Sequence, residues 1–181
     1  MNITKTAISD LLIIEPSVYR DDRGYFLESF HEDTFAKCIG NNIKFVQDNE
    51  SRSAAGVLRG LHFQNPPYAQ GKLVRVIQGS ALDIVVDIRK ESITFGKHFS
   101  IELNINNMLM LWIPPGFAHG FLSLEDNTIF SYKCTNYYNP EAEASLLWND
   151  PDINIDRTID KPIVSDKDRN ASRFSTFVSH F

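Results

Sequence analysis

The chain has no apolar run long enough to serve as a membrane span. Its longest are strand-sized and broken by charges, well short of the roughly 20 residues a helix needs to cross a bilayer. It also has little positive charge: 18 Lys and Arg against 23 Asp and Glu leave a formal charge of -5. Those cations are scattered, which argues against a nucleic-acid partner and requires any anionic ligand to be gripped locally. Cysteine is scarce, with Cys38 and Cys134 standing apart and no C-x-x-C pair. With no basic-apolar-small leader at the start, a reduced, cytosolic protein is the simplest fit. No G-x-G-x-x-G fingerprint is present, so no nicotinamide site is expected.

What the chain does have is core-forming material. With 181 residues, 43% hydrophobic and 12% aromatic, it fits one globular domain spanning residues 1–181. After an N-terminal arm, the apolar run Leu11-Leu12-Ile13-Ile14 stops at Glu15-Pro16, and Asp21-Asp22-Arg23-Gly24 reads as a turn before a strand from Tyr25 to His31. Phe35, Cys38 and Ile39 share one face of a short helix expected over residues 32–39, ended by Gly40-Asn41-Asn42. Strands are expected over 44–49, 57–64, 72–78, 81–89, 98–104, 108–113 and 128–138. Turns at Gly79-Ser80 and at 104–107 divide them into antiparallel hairpins. A short helix is expected to start near Ser165. Closely spaced strands with no room for crossover helices imply an all-β antiparallel sandwich or barrel.

Val57-Leu58-Arg59-Gly60-Leu61-His62-Phe63-Gln64 places a guanidinium and an imidazole in an otherwise apolar strand. Without partners such groups cost several kcal/mol to bury, roughly 2–7 for a neutral one. Strict alternation puts His62 with Leu58, Gly60 and Gln64, and Arg59 on the opposite face. A bulge at Gly60 would bring both to one cavity. A strand histidine is also a common hydrogen-bonded structural residue.

Lys72, on the face of Val74 and Val76, reaches either into a cavity or out from a sheet rim. Asp83 and Asp87 lie opposite the apolar face of Leu82, Ile84, Val86 and Ile88. Mid-strand Asp83 needs a partner if it lines a cavity, whereas Asp87, near the strand end, could simply be solvated. Residues 112–121 read as a rigid loop whose two prolines and glycine aim His119, as a functional group or within a hydrophobic plug. Tyr132 shares a face with Thr128, Phe130 and Cys134, and its phenol is a proton donor or a structural hydroxyl. In Ser165-Asp166-Lys167-Asp168, Asp168 can orient an imidazole if the tail folds back; a helix start is the plainer reading.

Taken together, Arg23-Gly24-x-Phe26-x-Glu28, Gln47-Asp48-Asn49-x-Ser51, residues 58–64, Gly71-Lys72-Leu73-Val74-Arg75-Val76 and residues 113–121 resemble the dTDP-4-dehydrorhamnose 3,5-epimerases in order and spacing. Tyr132-Lys133-Cys134-Thr135, Trp148-Asn149-Asp150-Pro151 and residues 165–168 extend the likeness from Leu11 to Asp168. The resemblance implies a cupin-like jelly-roll barrel, working as a homodimer whose N-terminal strands, within about residues 1–30, cross to the partner. It implies a dTDP-4-keto-6-deoxyhexose substrate inverted at C3, C5 or both, in deoxysugar biosynthesis, with neither cofactor nor metal.

Carried over position by position, the resemblance makes His62 the base beside the C4 ketone, Asp168 its orienting carboxylate and Tyr132 the acid on the opposite face. Lys72 would stabilise the enolate, with His119 and Asp83 in support. Arg23 and Arg59 would hold the diphosphate, where planar bidentate donors suit phosphate oxygens. Phe26, Glu28, Gln47, Asn49 and Tyr138 would handle the nucleoside and sugar. Two departures stand out: Arg157-Thr158 replaces a usual Trp-Pro, and Ser92-Ile93-Thr94 a usual Ser-Pro-Thr. They leave open which carbon is inverted.

Two rival readings use the same barrel. A metal-dependent cupin would suit the Pro-x-Gly-x-x-His119 string but normally needs a His-x-His pair and a Glu, and Leu61 precedes His62 with no second histidine near. A non-catalytic sugar-nucleotide-binding barrel would not need His62, Tyr132, Lys72 and Asp168 together.

Overall fold

The structure is a computed structural model that describes residues 1–40, 43–156 and 161–181. In chain order its strands are β1 (Asn2–Lys5), β2 (Leu12–Glu15), β3 (Val18–Asp21), β4 (Gly24–Leu27), β5 (Gln47–Ser53), β6 (Leu58–Gln64) and β7 (Lys72–Gln78). They continue with β8 (Ser80–Asp87), β9 (His98–Asn104), β10 (Met110–Ile113), β11 (Phe117–Ser123), β12 (Thr128–Cys134) and β13 (Glu143–Ser145). Helix α1 (Glu32–Ile39) and the single-turn α2 (Asp166–Arg169) complete the named elements, with a 3-10 turn at Phe174–Thr176.

Two antiparallel sheets face each other, ordered β1-β2-β10-β7-β12-β5 and β13-β6-β11-β8-β9. From β5 onward the chain crosses between them at nearly every connection, and among the described residues only β8 and β9 are both consecutive and paired. This corrects the hairpin expectation at Gly79-Ser80 and at 104–107: both turns carry the chain from one sheet to the other. Gly79 makes the first corner with φ +78°, and a Cβ there would stand 2.5 Å from Thr128 Oγ1. The alternating path gives the cupin-like jelly roll.

The central strands are buried on both faces. Val74, Val76, Val85, Leu111, Phe117, Phe121 and Phe130 pack between the sheets. Leu73, Met110 and Trp112 point outward from the first sheet and are covered by Phe35 of α1 with Phe30 and Phe45. Leu61, Phe63, Ile84 and Val86 point outward from the second and are covered by Leu146, Ile153, Phe174, Phe177 and Phe181. Each such side chain contributes about 1.5–3 kcal/mol on burial.

Double burial also explains the strand missed in residues 112–121. All of β11 is buried, so its apolar run lacks alternation, and Ala118 and Gly120 dilute its β signal. The rigid Pro114-Pro115-Gly116 only leads into it. Smaller shifts follow: the strand expected over 44–49 lies at Gln47–Ser53, that over 25–31 ends at Leu27, and that over 128–138 ends at Cys134. The helix stop at Gly40 is present, its N–H donating to Ala36 O. Asn41, Asn42, Arg157 and Thr158 lie outside the described residues.

The covered outer face of the second sheet fixes where the C-terminal segment runs. Leu58 N–H donates to Ile163 O, and Ile163 N–H to Gly56 O. Leu147 N–H donates to Ser172 O. These bonds bracket α2 and seat it beside β6.

Asp87 is not solvated; it is fully buried. It accepts from Arg89 Nε and Nη2 at 2.9 and 2.8 Å, from the hydroxyls of Ser92 and Thr94 at 2.7 Å each, and from Arg89 N–H. Burial pushes its carboxyl upward, but these donors outweigh it and hold the pKa below the ordinary value. Ile93, between the two hydroxyl residues, is 98% exposed. The departure from Ser-Pro-Thr thus keeps both hydroxyls and changes a side chain that touches nothing.

Asp87→Asn should lower the unfolding free energy in urea by about 3 kcal/mol, and Ile93→Ala should leave it within about 0.5 kcal/mol. Because the folded pKa of Asp87 is depressed, its contribution is complete above the ordinary Asp range near 3.9 and is lost as pH falls through the folded value. The gap between wild type and Asp87→Asn should therefore narrow in acid.

Candidate active site

Gly60 resolves the conflict between Arg59 and His62. On β11, His119 pairs with His62 and Phe121 with Arg59, so two residues of β6, Gly60 and Leu61, oppose the single Gly120. His119 and Phe121 are two apart and share a face, so their partners do too. Gly60 takes φ +135°, and its peptide bond to Leu61 is cis. A Cβ on Gly60 would stand 2.5 Å from Gly120 Cα, and one on Gly120 2.6 Å from Arg59 O. Only glycine fits at either position. Leu61 and Phe63 remain on the outer face while Arg59 and His62 line the same cavity of about 490 Å3.

His62 Nε2 lies 2.5 Å from Asp168 Oδ1, and Gly60 N–H reaches Asp168 Oδ2 at 3.4 Å. Asp168 is buried on α2, where the Ser165 hydroxyl caps the helix by accepting from Asp168 N–H at 3.1 Å. Residues 165–168 thus start a helix and also bring Asp168 into hydrogen-bond contact with the His62 imidazole. Burial alone would raise the Asp168 carboxyl, but hydrogen bonding and charge from His62, with help from Gly60 N–H, hold it below the ordinary range. It is a fixed carboxylate whose bond sets the direction of the imidazole.

Lys72 and Tyr132 enter the cavity from the opposite sheet, on β7 and β12. Lys72 Nζ sits 6.0 Å from the Tyr132 ring centroid. Burial lowers the Lys72 pKa, with Cys134, Asp83 and Glu143 opposing. Burial raises that of Tyr132, reinforced by Cys134 and opposed by Arg59, so the phenol keeps its proton at neutral pH.

Next to His62, His119 Nε2 lies 2.9 Å from Asp83 Oδ2, with Asp83 fully buried and its Oδ1 free of any hydrogen-bond partner. Each histidine thus spends one nitrogen on its own aspartate. Among the described residues no three His, Cys, Asp or Glu side chains converge in a way that could hold a metal ion.

A second cavity of about 270 Å3 shares His62, Lys72 and Tyr132 and extends to Gln47, Asn49, Tyr138 and Glu143. Gln47 Nε2 donates to Asn49 Oδ1, Asn49 Nδ2 to Cys134 Sγ, and the Tyr138 hydroxyl to Glu143 Oε2. Glu143 also pairs with Lys167 at 2.5 Å. Sequence reasoning passed over Glu143, Lys167 and Ser53, the last accepting from Arg59 Nε at 3.1 Å. Glu143 lies in a polar stretch whose strand pairs with β6 only in three dimensions. Lys167 stood in the Asp168 string and was the one readable signal.

Arg23, Phe26 and Glu28 are not part of this cavity. Arg23 and Phe26 are on the β3–β4 hairpin, Glu28 just beyond it, and all three are exposed. Arg23 is paired with Asp21, and Tyr19 and Tyr25 are exposed beside them. A larger cavity, about 830 Å3, opens between the β1–β2 turn, the end of α1 and Pro114-Pro115, and neither histidine nor tyrosine lines it.

A jelly-roll barrel with an aspartate-oriented imidazole on one sheet, and a lysine and a protonated phenol on the other, defines a cupin-like isomerase. The family model for dTDP-4-dehydrorhamnose 3,5-epimerase matches residues 5–176. The chain is 51% identical over 174 residues to the dTDP-4-dehydrorhamnose 3,5-epimerase of Shigella flexneri, covering 96% of each. It superposes on the crystal structure of the Elizabethkingia anophelis enzyme of that name with a TM-score of 0.92, 48% identity and 97% of each chain covered. A dTDP-6-deoxy-D-glucose-3,5-epimerase from Legionella pneumophila, in complex with dTDP-4-keto-L-rhamnose, gives 0.94 at 46% identity, covering 98% of this chain and 94% of that one. The chain belongs to the dTDP-4-dehydrorhamnose 3,5-epimerase family.

Gly60→Ala should destabilise the protein by about 2–4 kcal/mol, through φ strain and the clash with Gly120. Thermal and urea unfolding check this, and a wild-type midpoint would show that the two backbones separate easily.

Proposed function

We propose that this protein inverts C3 and C5 of a dTDP-4-keto-6-deoxyhexose by removing a proton next to the C4 ketone and returning one to the opposite face, in deoxysugar biosynthesis. The single observation that carries the reading is the placement of His62 with Asp168 on one sheet and of Tyr132 with Lys72 on the facing sheet, around one cavity.

A carbon-bound proton beside a ketone becomes removable only if the enolate oxygen is stabilised, and preorganised charge in a water-poor site is usually the largest contribution. Lys72 supplies that charge, and the Asp83–His119 pair supports it. His62 takes the proton, with the Asp168 carboxylate holding its ring and stabilising the imidazolium that forms. Tyr132, kept protonated by burial, delivers a proton from the other side. One cavity serves both carbons, since C3 and C5 flank the same ketone.

Arg59 grips the diphosphate from the cavity rim, and Gln47, Asn49 and Tyr138 face the nucleoside and sugar in the adjoining cavity. Arg23, Phe26 and Glu28 act across a homodimer: the exposed, aromatic β3–β4 hairpin of one protomer completes the cavity of the other. The two free thiols, Cys38 and Cys134, support a cytoplasmic setting.

In deuterated water the substrate should acquire label at C3 and C5; label at one carbon identifies a single-site epimerase, and none overturns the reading. His62→Ala and Asp168→Asn should lower turnover by about 100- to 10,000-fold while dTDP affinity stays within about twofold. Because burial depresses the Lys72 pKa, wild-type turnover should fall on the alkaline side below about pH 10.4, where an ordinary lysine titrates. An alkaline limb unchanged in Lys72→Met would assign it elsewhere.

A further inference from the structure

The segment that carries Tyr138 is held in an unusual way. Three successive residues are tied by amide side chains of two strands: Tyr137 O accepts from Gln64 Nε2 at 3.2 Å, Tyr138 N–H donates to Gln47 Oε1 at 2.9 Å, and Asn139 N–H donates to Gln64 Oε1 at 2.8 Å. Gln64 Nε2 also donates to Tyr68 O at 2.6 Å. Gln64 thus uses both its amide hydrogens and its oxygen on backbone groups of two separate loops, and it is only 4% exposed. The orientation of the amide is forced, because two carbonyls face the nitrogen and an N–H faces the oxygen. Gln70 Nε2 adds a tie to Asn136 O at 2.8 Å.

The Tyr138 hydroxyl is anchored on Glu143, the residue directly across from Gln64 in the β13–β6 register. Tyr138 as a whole nevertheless stays 54% exposed, at the mouth of the smaller cavity. Fixed backbone, fixed hydroxyl and open ring face make a rigid surface on which a planar base can stack. Gln64 lies two residues from His62 on the same strand, so this brace also sets the spacing between the proton-transfer residue and the stacking ring.

We propose that Gln64 is a positioning residue for the nucleotide end of the substrate, acting through Tyr138 and not through the reacting carbons. This rests on the nucleotide-sugar reading above. Glutamate cannot replace it, since a carboxylate oxygen would face the carbonyls of Tyr68 and Tyr137, and methionine offers neither donor nor acceptor.

The test uses the full chain with dTDP and the 4-keto-6-deoxy sugar nucleotide. In Gln64→Glu and Gln64→Met, the dTDP Kd and the substrate KM should rise about tenfold while kcat changes less than about threefold. Tyr138→Ala should raise Kd similarly, and combining it with Gln64→Met should add little, because residues acting as one unit are non-additive. Gln70→Met, which cuts one tie to the same segment from a half-buried position, should give the same split at smaller amplitude. An unchanged Kd in folded Gln64 variants, a loss confined to kcat, or full additivity with Tyr138→Ala overturns the inference. If the Gln64 variants do not fold, an unchanged Kd in Gln70→Met overturns it. Absence of dTDP binding and solvent exchange in the wild-type protein overturns the functional reading and this inference together; wild-type binding with indifferent variants overturns this inference alone.

Discussion

Where β6 crosses β11, Gly60 and Gly120 bring two backbones so close that neither position has room for a methyl group. That contact accommodates the extra residue of β6 and turns Arg59 onto the face occupied by His62. Without it, strict alternation would send the guanidinium among Leu61 and Phe63, into a layer covered by phenylalanines. The cavity therefore owes its two kinds of polar group to a backbone constraint, with the side chains following from it.

The charges inside the barrel follow one pattern. Asp168 and Asp83 are each paired with a histidine, and Asp87 is satisfied by an arginine and two hydroxyls. An ion kept in a low-dielectric interior needs such partners to remain charged. Asp87 serves the framework; Asp168 and Asp83 hold imidazoles at the cavity wall. The two sheets differ in what they bring to the cavity, with imidazoles on one and lysine plus phenol on the other, and the proposed mechanism uses that asymmetry to let a proton leave by one face and arrive by the other.

Much of this was legible in the sequence. The antiparallel all-β class, β7 and β9 to the residue, the short α1 and the Ser165-capped helix could all be read from pattern and punctuation. What escaped depended on distant neighbours. β11 lost its alternation because both its faces are buried, and the turns at Gly79 and 104–107 resemble hairpin turns although they switch sheets. Asp87 was misjudged because its partners Arg89, Ser92 and Thr94 come from the connection that follows its strand. His62, Lys72, Tyr132, His119, Asp83 and Asp168 do come together around one cavity, whereas Arg23, Phe26 and Glu28 stand on an exposed part of the chain away from it. Glu143 went unseen because β13 is three residues long and its pairing with β6 leaves no local trace, whereas Lys167 stood in the readable string beside Asp168 on α2.

In the proposed mechanism, removal and return of the proton fall to opposite walls of the cavity, His62 on one and Tyr132 on the other. Tyr132→Phe in deuterated water tests it most directly. With the imidazole intact and the donor gone, the starting sugar nucleotide should acquire deuterium next to the ketone without change of configuration, while epimer formation falls by about 100-fold or more. Epimer appearing at the wild-type rate, or complete absence of label in the starting compound, would contradict the account.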